Sequence, residues 1–302
     1  MVNLSVTLCG IQMSNPIILA SGVLNETGDS MLQAFKNGAG AVVTKSVGLK
    51  ARMGHRNPSV VEVEHDILNA LGLPNPGIDA YAEEIERAKS GGPLICSIYG
   101  KDTNEFKTLA KKAEELGVSG VEINLSCPHA GEYGAALGQD ARVVRKITAA
   151  VKESVTIPLF VKLTPNVTSI VDIGRAAEDG GADALVAINT VKAMAINAEV
   201  AMPILANKIG GYSGPAIKPI GLRCVYELYN ALSIPIVGVG GILTGEDAVE
   251  YIMAGASAVQ VGSAVLYRGR EVFSLIAKEM RDFMEEHGYS RVQEMVGLAC
   301  RE

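Results

Sequence analysis

Eight short apolar runs punctuate the chain, each ending at or just before a polar residue or a glycine. They occupy residues 17–20, 41–44, 94–96, 121–123, 159–161, 184–188, 236–239 and 258–261. Continuous runs of this kind suit parallel strands buried on both faces, because a strand with one wet face would alternate apolar and polar residues. Helical periodicity fills many of the intervals, at 103–116, 141–153, 170–179, 221–232, 246–254 and 272–287. The pairs Gly38-Ala39, Gly181-Ala182 and Gly255-Ala256 stand just before strands and read as helix C-caps leading into tight packing. Eight β/α units predict an α/β protein built as one closed (β/α)8 barrel over residues 1–302. An open doubly wound sheet is the main rival, but no G-x-G-x-x-G follows the first strand. Residues 1–15 predict a small β-hairpin capping the bottom of the barrel. The connections 47–92 and 190–219 are long, and in a barrel both lie over the C-terminal face, where binding sites are built.

Composition narrows the class of function. The net charge of −6, with no Trp, argues against a nucleic-acid surface, which needs clustered Lys and Arg and aromatic platforms. The five cysteines, Cys9, Cys96, Cys127, Cys224 and Cys300, form no C-x-x-C pair. Neither a disulfide framework nor a metal site is expected from them, and scattered free thiols fit a reducing cytosol. The first ten residues carry no signal-like pattern, and apolar stretches fall short of a membrane span. A cytoplasmic protein with no membrane or nucleic-acid partner is the expectation.

Ser21, Lys45, Ser97, Asn124, Lys162, Asn189, Gly240-Gly241 and Gly262-Ser263 stand at the strand ends. A single Lys or Asn there is more often a snorkelling or capping residue than a ligand contact. Two lysines and two asparagines converging on one barrel mouth describe a pocket for something planar, polar and anionic. The glycines after strands seven and eight sit where barrels often hold phosphate on backbone N–H groups, though tight turns alone also call for glycine. In Glu122-Ile123-Asn124-Leu125-Ser126-Cys127-Pro128-His129, a cysteine follows strand four in a polar loop, a poor place for a buried hydrophobe. A thiol whose surroundings lower its pKa serves as a general base.

Asn124-Leu125-Ser126-Cys127-Pro128 resembles the catalytic loop of class 1 dihydroorotate dehydrogenases. Further matching motifs span nearly the whole chain. They include Ala20-Ser21-Gly22, Thr44-Lys45-Ser46, Leu68-Asn69-Ala70-Leu71-Gly72-Leu73, Val161-Lys162-Leu163-Thr164-Pro165, Ile188-Asn189-Thr190 and Gly211-Tyr212-Ser213-Gly214-Pro215. Segments 165–168 and 203–219 are most similar to the NAD-linked class 1B branch. The resemblance implies an FMN-binding TIM barrel that oxidises dihydroorotate to orotate in pyrimidine biosynthesis. It implies Cys127 as the base taking the C5 proton while hydride passes from C6 to N5 of FMN. It implies substrate contacts from Lys45, Asn69, Ala70, Leu71, Gly72, Leu73, Asn124, Asn189 and Thr190. It implies flavin contacts from Ser21, Lys45, Ser46, Asn124, Lys162, Ile188 and Gly214, with phosphate held by Gly240, Gly241, Gly262 and Ser263. A partner subunit with FAD and a [2Fe-2S] cluster would carry electrons to NAD, around a homodimer core within a heterotetramer. His129 stands where most class 1 dihydroorotate dehydrogenases have asparagine, and Ser97 where many relatives have an asparagine near the flavin.

Four other readings compete. They are a pyrimidine-base reductase resembling dihydropyrimidine dehydrogenase, a fumarate-dependent class 1A enzyme, a tRNA-dihydrouridine synthase and a non-catalytic phosphate-binding barrel. The third usually adds a helical domain and a basic groove, and neither is legible here. Cys127 and the paired lysines speak against the last.

Overall fold

A computed structural model describes residues 2–64, 66–125 and 137–301. In chain order the strands are β1 (Val6–Leu8), β2 (Ile11–Met13), β3 (Ile17–Leu19), β4 (Ala41–Val43), β5 (Val60–Val63), β6 (Asp66–Asn69), β7 (Leu94–Ile98) and β8 (Gly120–Asn124). They continue as β9 (Leu159–Leu163), β10 (Ala184–Ala187), β11 (Val191–Met194), β12 (Ile196–Asn197), β13 (Met202–Pro203), β14 (Ile209–Ser213), β15 (Ile236–Val239) and β16 (Ala256–Val261). The α-helices are α1 (Gly28–Lys36), α2 (Ile78–Ala88), α3 (Thr103–Glu115), α4 (Ala141–Lys152), α5 (Ile170–Asp179), α6 (Lys218–Ala231), α7 (Gly245–Met253), α8 (Ala264–Arg268) and α9 (Val272–His287).

Strands β3, β4, β7, β8, β9, β10, β15 and β16 pair in that parallel order and close into a barrel. Each expected apolar run lies on one of them. The strands are mostly apolar because both faces are covered: β7, β8 and β9 are buried at every position. Five of the helices, α1, α3, α4, α5 and α7, start where a polar side chain satisfies one or more of their first N–H groups. Asp102 accepts from the N–H of Asn104 and Glu105, Asp140 from Arg142, and Thr27 and Thr244 form capping boxes. They end as the Gly-Ala pairs suggest. Gly38, Gly181 and Gly255 all have positive φ, and the N–H of Ala39 and of Ala182 reaches back to the carbonyl five residues earlier. Helix α6 begins at Lys218, three residues before the expected 221, because Pro219 is tolerated in a first turn where its missing N–H is not needed.

The β1/β2 hairpin lies at the N-terminal end of the barrel, where the Cys9 thiol donates to the carbonyl of Asp183, just before β10. The two long connections are not independent loops. The first carries β5, β6 and helix α2, and the second carries β11 to β14. Strands β11, β14, β6 and β5 form one antiparallel sheet, with Asn69 opposite Gly211 and Leu68 opposite Tyr212. This lid sheet has its own small core of Leu68, Ala70 and Leu205. Among the described residues, no helix is long and apolar enough to cross a membrane.

Candidate active site

A cavity of about 390 Å³ opens at the C-terminal end of the barrel, between the strand ends and the lid sheet. That is in the usual size range for a cofactor or small-molecule site. Its floor is polar. Lys45, just beyond β4, and Lys162, in β9, are 7% and 6% exposed, so both ammonium groups face the cavity and not bulk water. Lys45 Nζ lies 3.3 Å from Glu26, an exposed carboxylate at the rim. Lys162 Nζ donates to Gln260 Oε1 at 2.9 Å and lies 3.7 Å from the buried Glu122.

A chain of hydroxyls and carboxamides crosses the mouth. Ser21 and Ser46 are 3.2 Å apart, Ser46 and Ser97 2.8 Å apart, and Asn124 Nδ2 donates to Ser46 Oγ at 3.1 Å. Asn189 Nδ2 donates to Asn124 Oδ1 at 3.4 Å, and Asn189 Oδ1 accepts from the Thr190 N–H at 2.7 Å. The parallel barrel sets this geometry: Asn124 and Lys162 are register partners on β8 and β9.

The wall over the mouth is the segment from Asn69 to Leu73. Asn69 donates to the Gly211 carbonyl at 3.2 Å. Gly72 and Leu73 both adopt positive φ, a tight left-handed path that outside contacts hold. Arg52 Nε donates to the Gly72 carbonyl at 2.7 Å, the His55 N–H donates to that of Leu71 at 2.9 Å, and Asn75 Nδ2 donates to that of Leu73 at 2.9 Å. A Cβ at position 72 would meet the His55 ring at 2.7 Å.

At the far end the chain is stripped of side chains. Gly240 and Gly241 have φ of +130° and +71°, and a Cβ on Gly241 would lie 2.7 Å from the Lys218 nitrogen. A Cβ on Gly214 would fall 1.9 Å from the carboxylate of Asp66, a 2% exposed side chain that also accepts from the Ala216 N–H. The Asp66 hydrogen bond, together with burial, pushes the Tyr212 hydroxyl up to about 12. Glycine is therefore required at 214 and 241 for both conformation and space.

The dihydroorotate dehydrogenase family model matches residues 3–284. The chain is 52% identical to the protein named dihydroorotate dehydrogenase B (NAD(+)), catalytic subunit, of Methanocaldococcus jannaschii over 301 residues, covering 98% of each chain. It is 50% identical to the protein of that name in Thermoplasma acidophilum over 302 residues, all of both chains. It is 51% identical to that of Pyrococcus furiosus over 297 residues, 98% of this chain and 99% of the relative. The chain belongs to the dihydroorotate dehydrogenase family.

Nearly all residues that the family resemblance singled out meet at this one cavity. Of those assigned to substrate, Lys45, Asn69, Leu71, Gly72, Leu73, Asn124, Asn189 and Thr190 line it. Of those assigned to flavin, Ser21, Ser46, Lys162, Ile188, Gly214, Gly240, Gly241, Gly262 and Ser263 line it as well. Ala70 is not on the lining: its methyl packs with Leu68 and Leu205 in the core of the lid sheet. Ser97, counted with the strand-end set, is fully buried behind Ser46. Cys127 and His129 lie outside the described residues. Sequence reasoning missed Gln260, Ile67, Ser213 and Leu266 on the lining, and Glu122 behind it. The available signal was a polar residue inside an apolar run, Glu122 in 121–123 and Gln260 in 258–261. A buried strand carries such a residue only when a partner satisfies it.

Proposed function

We propose that this chain oxidises dihydroorotate to orotate with a bound FMN in pyrimidine biosynthesis, as the catalytic subunit of an NAD-linked assembly. The observation that carries this reading is the convergence of two buried lysines and three carboxamides, Asn69, Asn124 and Asn189, on one cavity that ends in a glycine cradle. The residues fit the cofactor. Gly240 and Gly241 adopt positive φ, and a Cβ on Gly241 would collide with the Lys218 backbone, so the turn offers bare backbone, as a phosphate group needs; Gly262 and Ser263 line the same cavity. FMN, when bound, would supply a two-electron acceptor for the substrate's hydride.

The chain's own groups account for the rest. Carboxamides present both a donor and an acceptor to the imide edge of a pyrimidine. Lys45 pairs with the substrate carboxylate, and Lys162 places positive charge where the flavin gains electrons. Cys127, three residues after Asn124 in the sequence, takes the C5 proton on its sulfur as hydride leaves C6, and the C5–C6 double bond forms. The lid sheet excludes water from that step. A partner carrying FAD and a [2Fe-2S] cluster would supply the route to NAD. This fits the relatives' names, which call each a catalytic subunit. Two copies of the chain form the core of the heterotetramer.

Anaerobic addition of dihydroorotate to the purified chain tests the reading. We expect one FMN per chain, bleaching with dihydroorotate, and no oxidation of the reduced flavin by uracil. Flavin absent from the protein, or rapid reoxidation by uracil in place of orotate, would overturn it.

A further inference from the structure

Glu122 lies in the middle of strand β8, is 0% exposed, and has no part in the chemistry proposed above. A carboxylate inside a barrel is stable only if its charge and its lone pairs are met. Here they are met by two strands that are distant in sequence. Gln260, from β16, donates from Nε2 to Glu122 Oε2 at 2.7 Å and accepts at Oε1 from Lys162 Nζ at 2.9 Å. The sense of this relay is fixed by chemistry, because a carboxylate only accepts and an ammonium only donates. The direct distance from Lys162 Nζ to Glu122 Oε1 is 3.7 Å, and Oε1 has no hydrogen-bond partner among the described residues. The carboxylate therefore acts on Lys162 by charge across that gap and by orientation through Gln260. Both Lys162 and Gln260 line the cavity.

We propose that Glu122 is a positioning residue that sets how much positive charge Lys162 presents to the bound flavin. An ammonium opposed by a carboxylate at this distance acts as a dipole. Its field falls off faster than that of a lone cation and is strong only for a ring held directly against it. This inference rests on the reading of the cavity as a flavin site, and the flavin content of the wild-type protein tests that reading separately.

The test is a set of flavin midpoint potentials, measured spectroelectrochemically on the FMN-loaded protein, for Glu122→Gln, Lys162→Met and the double variant. Glu122→Gln keeps the shape and removes the opposing charge, so the potential moves to more positive values. Lys162→Met leaves a carboxylate facing the electrons the flavin gains, so the potential moves to more negative values. The double variant removes a neutral pair and lies closer to wild type than Lys162→Met does. Chemical denaturation of the flavin-free proteins gives a second reading: Lys162→Met loses more stability than the double variant, because only the single change strands a buried charge. An unmoved or more negative potential in Glu122→Gln overturns the proposal. Where Glu122→Gln yields no folded protein, the double variant decides, and a potential equal to that of Lys162→Met overturns it.

Discussion

Burial pushes the thiol of Cys9 up to about 11 and that of Cys96 up to about 12, and it also raises Cys224 and Cys300. None of the four lines the cavity. They are neutral, weakly reactive groups, and the base role proposed for Cys127 rests on the family resemblance. An ordinary thiol ionises near about 8.5, so the fraction of active base grows through the neutral range. Flavin reduction by dihydroorotate, followed by stopped flow, should accelerate as pH rises. Cys127→Ala should bind FMN and orotate yet reduce roughly 10²–10⁴-fold more slowly, the usual worth of a positioned base. Cys127→Ser should be slow with its optimum moved upward, since a hydroxyl ionises far above a thiol. A wild-type rate in Cys127→Ala would remove it from the mechanism. Single residues were legible in proportion to how far the chain's own motifs announce them. Lys45, Asn124 and Asn189 follow strand ends, where a polar residue is conspicuous. Ala70 was assigned with its neighbours because sequence adjacency does not show that its methyl turns into the lid core. Gln260 and Glu122 were hidden because they sit inside runs read as uniformly apolar.

At the scale of elements, the barrel strands were legible because their signal is local: a buried run and a break. The lid sheet was not. Its strands β5 and β11 are only half-buried, and its central pairing joins β6 to β14 across more than 140 residues, with Asn69 opposite Gly211. No local periodicity reports such a pairing. The sheet's tight spot is Gly211, where a Cβ would fall 2.0 Å from Thr190 Oγ1. Gly211→Ala should force Thr190 out of place, raising KM for dihydroorotate by roughly tenfold, a loss comparable to one net hydrogen bond. Flavin content should not change, and an unchanged KM would separate Thr190 from the substrate. A second element-scale device ties the barrel's last helices together. Arg268 of α8 holds Glu279 of α9 through two contacts of 2.6 and 3.1 Å, and Glu279 also accepts from the Gly245 N–H at the start of α7. The Arg268 guanidinium holds the Glu279 carboxyl below the usual carboxylate range. A depressed folded-state pKa means that this stability is present above the unfolded pKa and is lost as pH falls through the folded one. Both partners are partly exposed, so Glu279→Gln should cost only roughly 0.5–1 kcal/mol at neutral pH. Urea denaturation of the two proteins should show that difference shrinking in acid.

For the whole molecule, the central question is where the electrons go. One cavity of about 390 Å³ opens at the barrel mouth, and the chain carries no G-x-G-x-x-G after its first strand. Among the described residues, no group of three or more Cys, His, Asp or Glu side chains is placed to hold a metal. Yet the relatives that match along their whole length bear names that specify NAD(+) and a catalytic subunit. Met194, Ile196, Val200 and Met202, in the connection over the mouth, are 46–62% exposed. The FMN-loaded chain alone should therefore bleach with dihydroorotate but reduce NAD at least about 100-fold more slowly than the complete assembly. Without a site that orients the nicotinamide, the encounter lacks the proximity that makes hydride transfer fast. The measurement is NADH formation by the chain alone and after addition of an FAD/iron–sulfur protein co-purified with it. Fast NAD reduction by the chain alone would place a nicotinamide site on this barrel. Fast turnover with fumarate would make the flavin itself the point of exit, as in a class 1A enzyme. Only slow turnover with both, relieved by the added subunit, assigns the exit route to the partner.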